Sequence, residues 1–265
     1  MRARVIPVVQ VADRYMVKTK AFKEQTYVGD AVNAVKIFNE KQADELVLLD
    51  IEATSKRRPI DFGFIEDVVS EAFMPVAYGG GVTTSADARR LFEVGVEKVA
   101  INSATFASPE VVSAIAEEYG AQAVVASLDV ERRRFGAEQV RCPDRRKGPD
   151  PVAWAAALAA AGAGELLVTS AADEGSRAGM NLELIRRIRA AVSIPIIAHG
   201  GAGTLAHLTE ARDAGAAALA AGTMFTFHGP RRAVLIQYPT PEQLDDALGT
   251  GIEGWVFEDI EGEGK

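Results

Sequence analysis

A glycine-rich turn written twice, 120 residues apart, constrains this chain more than any other feature of its sequence. Ile194-Pro195-Ile196-Ile197-Ala198-His199-Gly200-Gly201-Ala202-Gly203 reads as a short buried strand running into a turn, with Thr204 opening a helix. Met74-Pro75-Val76-Ala77-Tyr78-Gly79-Gly80-Gly81-Val82 has the same plan, its proline and glycines in step with the later copy. Such a turn leaves backbone N–H groups free at a helix N-terminus, where they bind phosphate. The register extends well beyond the turns. Glu45 and Glu165, Gly95 and Gly215, and Ser103 and Thr223 are also 120 residues apart, and Gln10 and Asp129 are 119 apart.

Short apolar runs recur through both halves. Strands are expected over 4–9, 46–51, 75–78, 98–101, 123–128, 166–170, 194–198 and 217–221, the last weak in propensity but correctly placed. Runs such as Leu46-Val47-Leu48-Leu49 are apolar throughout, as strands covered on both faces should be. Helical patterns fall between them: Asp30 caps one through Phe38, Ala88, Leu91 and Phe92 share one face of another, and Pro109 suits a first turn. A loop through Lys18, Lys20 and Lys23 is expected after the first strand, and a polar loop over 131–149 after the fifth. Eight strands alternating with helices in two like halves predict a (β/α)8 TIM barrel built from half-barrels, about 1–120 and 121–240. A doubly wound open sheet does not explain the match, because its crossover reverses midway. Residues 241–265, polar, acidic and rich in glycine, are expected to form a partly ordered tail.

Composition narrows the function. The chain has 265 residues, 48% apolar and 25% charged, which suits a substantial core. A net charge of −8 argues against nucleic acid as the main partner. Basic runs at 56–58, 132–134 and 145–147 read either as solvated loop charge or as capture of an anionic substrate at a rim. Cys142 is the only cysteine, so a disulfide within the chain and a multi-cysteine zinc site are both excluded. Nothing in the sequence asks for a cofactor or a metal. No apolar run approaches the roughly 18 residues that span a bilayer, and no signal-peptide pattern opens the chain, so the cytoplasm is the expected compartment.

In a barrel of this kind, active sites lie at the C-terminal ends of the strands. That rule selects Gln10, Asp50, Gly80, Gly81, Asn102, Ser103, Asp129, Ser170, Gly200, Gly201, Gly222 and Thr223. The glycine turns and the Ser103 and Thr223 turns fall on strands three and four and on seven and eight. Each pair can close around one phosphate, so a ligand phosphorylated at both ends is expected. Asp129 ends an apolar run and is desolvated enough for a raised pKa and acid–base work, unless it only caps its loop. Asp50 has the same placement and could orient a neighbour. Gln10 holds the matching position in the first half, and an amide does not exchange protons at neutral pH. At the opposite rim, Arg4, Glu45, Lys98 and Glu165 begin strands one, two, four and six. Four charges of alternating sign there can close a salt-bridge ring, either purely structural or gating a passage.

These residues resemble the cyclase subunit of imidazole glycerol phosphate synthase. The resemblance runs nearly end to end: Arg-Val-Ile-Pro at 4–7, Ala-Asp-Glu-Leu-Val-Leu-Leu-Asp at 43–50, Tyr-Gly-Gly-Gly at 78–81, Glu-Lys-Val-Ala-Ile-Asn at 97–102, Gly-Ala-Gly-Glu-Leu-Leu-Val-Thr-Ser at 162–170 and Gly-Gly-Ala-Gly at 200–203. It implies a barrel that binds two phosphates and takes ammonia from a class I glutaminase docked at its N-terminal face. It also implies that Arg4, Glu45, Lys98 and Glu165 form the ammonia gate, and that Lys18 in a mobile first loop helps hold substrate. The family's cyclisation uses an aspartate on each of strands one and five. Asp129 matches the second, but Gln10 stands in place of the first, and Glu174 replaces an aspartate beside Gly175. Further stretches, 18–23, 27–30, 33–40 and 232–239, resemble the branch that converts a sugar acetamido group to an acetamidino group in surface polysaccharides. There the barrel works with a glutaminase and a separate ATP-dependent amidotransferase. The histidine-pathway cyclase and a non-catalytic scaffold that activates its glutaminase are the alternatives.

Overall fold

The apolar runs become strands because every one of them is covered on two sides. The computed structural model describes residues 2–133, 136–144, 146–229 and 231–249. Eight parallel strands form the barrel: β1 (Arg4–Ala12), β2 (Leu46–Asp50), β3 (Val76–Gly79), β4 (Lys98–Ile101), β5 (Val124–Arg132), β6 (Glu165–Ser170), β7 (Ile196–His199) and β8 (Ala218–Ala221). Each pairs with the next, and β8 returns to β1 with Arg4 opposite Ala218 and Pro7 opposite Ala221, which closes the cylinder. The expected (β/α)8 barrel is therefore the fold.

Side chains alternate across each strand with the period of two that a pleated backbone imposes. Ile6, Val8, Val47, Ala77, Ala100, Val125, Leu167, Ile197, Ala218 and Ala220 turn inward and fill the bore. Their neighbours, among them Val5, Val9, Leu46, Leu48 and Val99, turn outward under the helices. Alanine recurs among the inward residues because the space on the axis is narrow. Hence β8, weak in β-propensity, is a strand by virtue of its place.

The outer layer contains α1 (Ala31–Glu40), α2 (Phe62–Ser70), α3 (Ser85–Glu93), α4 (Glu110–Tyr119), α5 (Pro151–Ala160), α6 (Leu182–Arg189) and α7 (Leu205–Asp213). The repeat is visible in their caps. Thr84 and Thr204 each accept a backbone N–H three residues on, at the start of α3 and α7. After β8 come a single turn, α8 (Thr223–Thr226), and then α9 (Pro241–Leu248).

Two expectations need correction. The lysine-bearing loop after β1 is a hairpin, Tyr15–Lys20 paired with Glu24–Asp30, and its first strand continues the sheet from β1. The polar loop over 131–149 likewise contains a strand, Glu138–Val140, which folds back on the overrun of β5. The tail expected over 241–265 begins with α9, which packs on α7 and buries Leu244 and Leu248. Residues 250–265 lie outside the described residues. Among the described residues no helix is long and apolar enough to cross a membrane.

Candidate functional site

The two glycine turns sit where β3 and β7 leave the barrel. Gly80 and Gly81 have φ of 134° and 73°, and Gly200 and Gly201 have 96° and 95°, a region that side chains rarely enter. Space forbids a side chain as well. A Cβ at Gly80 would lie 2.7 Å from the Asp50 carbonyl oxygen, and one at Gly200 would lie 2.6 Å from that of Ser170. The backbone therefore comes close to the rim in both halves, and each turn leads into a capped helix. Asn102 and Ser103 lie at the end of β4, beside the first turn. Gly222 and Thr223 lie at the end of β8, beside the second. The Thr223 hydroxyl is buried without a hydrogen-bond partner among the described residues. An orphan donor of this kind next to a glycine turn suits an oxyanion.

The bore opens upward between these turns onto a ring of polar side chains. Asp129, at the end of β5, accepts a hydrogen bond from Asn102 Nδ2 at 2.9 Å. Burial pushes its carboxyl up to about 6, against the opposing pull of Asn102, Arg141 and Thr169. That places it near neutrality, where a carboxyl can both take and give a proton. Across the barrel on β1, Gln10 is buried, and its Oε1 accepts the Thr19 amide at 3.3 Å. Thr19 in turn donates from its hydroxyl to Glu174 Oε2 at 3.1 Å. Burial raises the Glu174 carboxyl, and Lys18 partly offsets this.

Lys18 is carried into the mouth by the hairpin. It is 2% exposed, and its Nζ donates to the Val8 carbonyl at 2.5 Å. Burial lowers its ammonium to about 8, with Glu174 opposing. It lies against Gly222, where a Cβ would come within 2.3 Å of Nζ. Gly175, with φ of 74°, lets the loop after β6 touch the hairpin; a Cβ there would be 2.5 Å from the Thr19 carbonyl oxygen.

Most of the residues selected from the sequence are thus brought to one end of the barrel. Asp50 and Ser170 lie at that end too but differ in facing, for they follow inward-facing Leu49 and Thr169 and so turn to the outer face. There Asp50 accepts the amides of Glu52 and Ala53 at 2.9 and 3.0 Å, and Ser170 donates to Asp173 at 2.6 Å. Both shape their loops.

His199 was missed as a functional residue, although it lies within the repeated turn. It is buried, its Nδ1 lies 3.2 Å from Thr169 Oγ1, and burial together with Lys18 pushes it down to about 3, so it is neutral. The signal for it was available: its match in the first half is Gly79.

The opposite end of the bore is closed by charge. Arg4 pairs with both Glu45 and Glu165. Lys98 Nζ lies 3.0 Å from a carboxylate oxygen of each. The four form a closed ring of alternating sign under the apolar bore, with Glu45 2% exposed.

A family model described as histidine biosynthesis protein matches residues 4–230. A Pseudomonas aeruginosa protein provisionally named imidazole glycerol phosphate synthase subunit hisF2 is 42% identical over 248 residues, 92% of this chain and 99% of that protein. A Vibrio vulnificus protein provisionally named subunit hisF3 of the same synthase is 39% identical, over 94% of this chain and 97% of its own length. The imidazole glycerol phosphate synthase subunit HisF of Streptomyces coelicolor is 38% identical, over 86% of this chain and 91% of its own length.

Proposed function

The chain belongs to the histidine biosynthesis protein family, and from that premise we propose that this HisF-like imidazole glycerol phosphate synthase subunit serves an acetamidino-sugar pathway. It takes ammonia from a class I glutaminase docked at the N-terminal face. The Arg4–Glu45–Lys98–Glu165 ring is the gate, and the apolar bore above it carries a small neutral molecule to the mouth. There the turns at Gly80–Gly81 and Gly200–Gly201, with Ser103 and Thr223, cradle a phosphorylated ligand. Lys18 and Asn102 bind beside it, with the Glu174–Gly175 loop packed on the hairpin. A separate ATP-dependent amidotransferase completes the complex.

The observation that carries this reading is Gln10. Its Oε1 accepts from the Thr19 backbone amide, and its amide cannot take up or release a proton at neutral pH. Imidazole formation by the family's two-carboxylate route therefore has only one of its two groups, Asp129. Ammonia delivery needs neither.

The deciding experiment mixes the purified chain with its glutaminase and phosphoribulosyl formimino-AICAR phosphate. The expected outcome is glutamine hydrolysis stimulated by the chain, with no imidazole glycerol phosphate above background. Rapid formation of that product would overturn the proposal in favour of the histidine-pathway cyclase. That second reading is favoured by the raised carboxyl of Asp129, which is poised for acid–base work. An Asp129→Asn variant separates the cyclase from a scaffold role: the cyclase would lose product formation while glutaminase activation survives, and a scaffold would lose nothing.

A further inference from the structure

The upper layer of the bore differs between the half-barrels in a way that the fold does not require. In the second half, Asp129 on β5, Thr169 on β6 and His199 on β7 are direct neighbours in register, followed by Ala220 on β8. In the first half, the row in register is Gln10, Leu49, Gly79 and Ala100. The two rows match position for position. One is polar and continuous; the other has an apolar leucine and a glycine in its middle. A side chain at Gly79 would come within 2.8 Å of Leu49 and 3.0 Å of Ala100, so the first half has no room for a counterpart of His199. Because one half-barrel dispenses with a polar row, packing is not the reason for the other.

We propose that Asp129, Thr169 and His199 form a proton wire, in which a proton accepted at His199 Nε2 leaves the same imidazole from Nδ1, passes through the Thr169 hydroxyl and arrives at Asp129.

Thr169 stands between the other two: it is the register partner of Asp129 across β5 and β6, it pulls on the Asp129 carboxyl, and its Oγ1 lies 3.2 Å from His199 Nδ1. Thr169 has one hydroxyl proton and faces two acceptors, Asp129 and His199. A carboxylate is the stronger acceptor, so ionised Asp129 takes that proton. Thr169 Oγ1 then accepts from His199, and the imidazole is held as its Nδ1–H tautomer with a bare Nε2 on the side of the ring away from Thr169. When a proton reaches Nε2, Nδ1 releases its own to Thr169 Oγ1, and the hydroxyl proton moves to Asp129. The nitrogen that supplied the proton has lost one and the carboxylate has gained one. The imidazole ends neutral as the other tautomer.

The surroundings favour this shuttle over storage of charge on the ring. Lys18 from the hairpin lies close enough to penalise an imidazolium. Around Asp129 stand Asn102 from the end of β4, Arg141 from the loop after β5 and Glu174 from the loop after β6. Arg141 favours the ionised carboxylate and Glu174 opposes it. The wire gives the reading above a route for the proton that any amination releases, and depends on that reading only for where the proton comes from.

Nitrogen-15 spectra of the imidazoles test it in the full chain without substrate, so failure of the amidotransferase assay and failure of the wire are separate results. His207 and His228 are assigned by replacing each in turn. Over roughly pH 5 to 8, His199 is expected to stay neutral and to change from Nε2–H to Nδ1–H as Asp129 ionises near 6. Thr169→Val should hold one tautomer throughout, while Thr169→Ser, which keeps the hydroxyl, should preserve the change. An imidazolium in this range, a single tautomer in the parent protein, or an unaltered change in Thr169→Val would overturn the proposal.

Discussion

Asp129 combines a favourable position for chemistry with an unfavourable one for stability. Its carboxyl titrates near 6 in the folded chain and near 4 in an unfolded one. Between those values the native state holds the extra proton, so stability falls as pH rises through the interval and the whole penalty is present above it. Two pKa units correspond to about 2.7 kcal/mol, and solvent at the mouth reduces the net effect. Asp129→Asn keeps an oxygen to accept from Asn102 and cannot ionise. It should be more stable than the parent by about 1–2 kcal/mol at pH 7.5 and by almost nothing at pH 4, read from urea midpoints. Equal midpoints at both values would show that the carboxyl is not desolvated. The sequence located this residue because an aspartate ending an apolar strand is conspicuous. His199 was harder to read: only its mismatch with Gly79 in the repeat marks it, and a histidine within an apolar run otherwise looks like core until its partner Thr169 is placed beside it.

The hairpin Tyr15–Lys20 and Glu24–Asp30 is the element that turns an open barrel end into a covered site. It is pinned at several points: Ala21 N–H donates to the Glu174 carbonyl at 3.0 Å, Thr19 to the Glu174 carboxylate, and Arg141 stacks over Phe22 at 5.3 Å. Gly175 permits the closest of these approaches. Gly175→Ala must either force its backbone out of φ 74° or push its Cβ into Thr19 O, so it should cost about 1–3 kcal/mol. Amide exchange localises the effect: protection should fall at 15–30 and hold in β5 to β8. Uniform loss would mean that the hairpin is not a separate unit. The hairpin was unreadable as strands because Glu24–Asp30 has no buried face and hence no apolar alternation, and its charges imitate a loop. The barrel strands were readable for the opposite reason, since burial on both faces makes the middle of each of them an apolar run.

At the scale of the whole molecule, the floor ring joins what the repeat divides. Arg4, Glu45 and Lys98 belong to the first half, Glu165 to the second, and β1 also closes the cylinder against β8. The four charges were legible because each begins an apolar strand, and strand starts in a closed barrel must meet at one end. Their mutual arrangement predicts a particular kind of non-additivity. Each buried glutamate has two cationic partners, so removing either cation leaves both carboxylates with one. Arg4→Met or Lys98→Met alone should therefore cost only about 1–2 kcal/mol. Removing both leaves two carboxylates in the floor without a cation, the situation that costs ~3–5 kcal/mol for a buried pair. The double variant should exceed the sum of the single ones by at least about 1 kcal/mol. Urea unfolding of the four proteins at pH 7.5 measures this, and repeating it with Glu45→Gln and Glu165→Gln in the background should abolish the excess. Simple additivity would mean that the ring is two independent ion pairs and that the halves are joined by strand pairing alone.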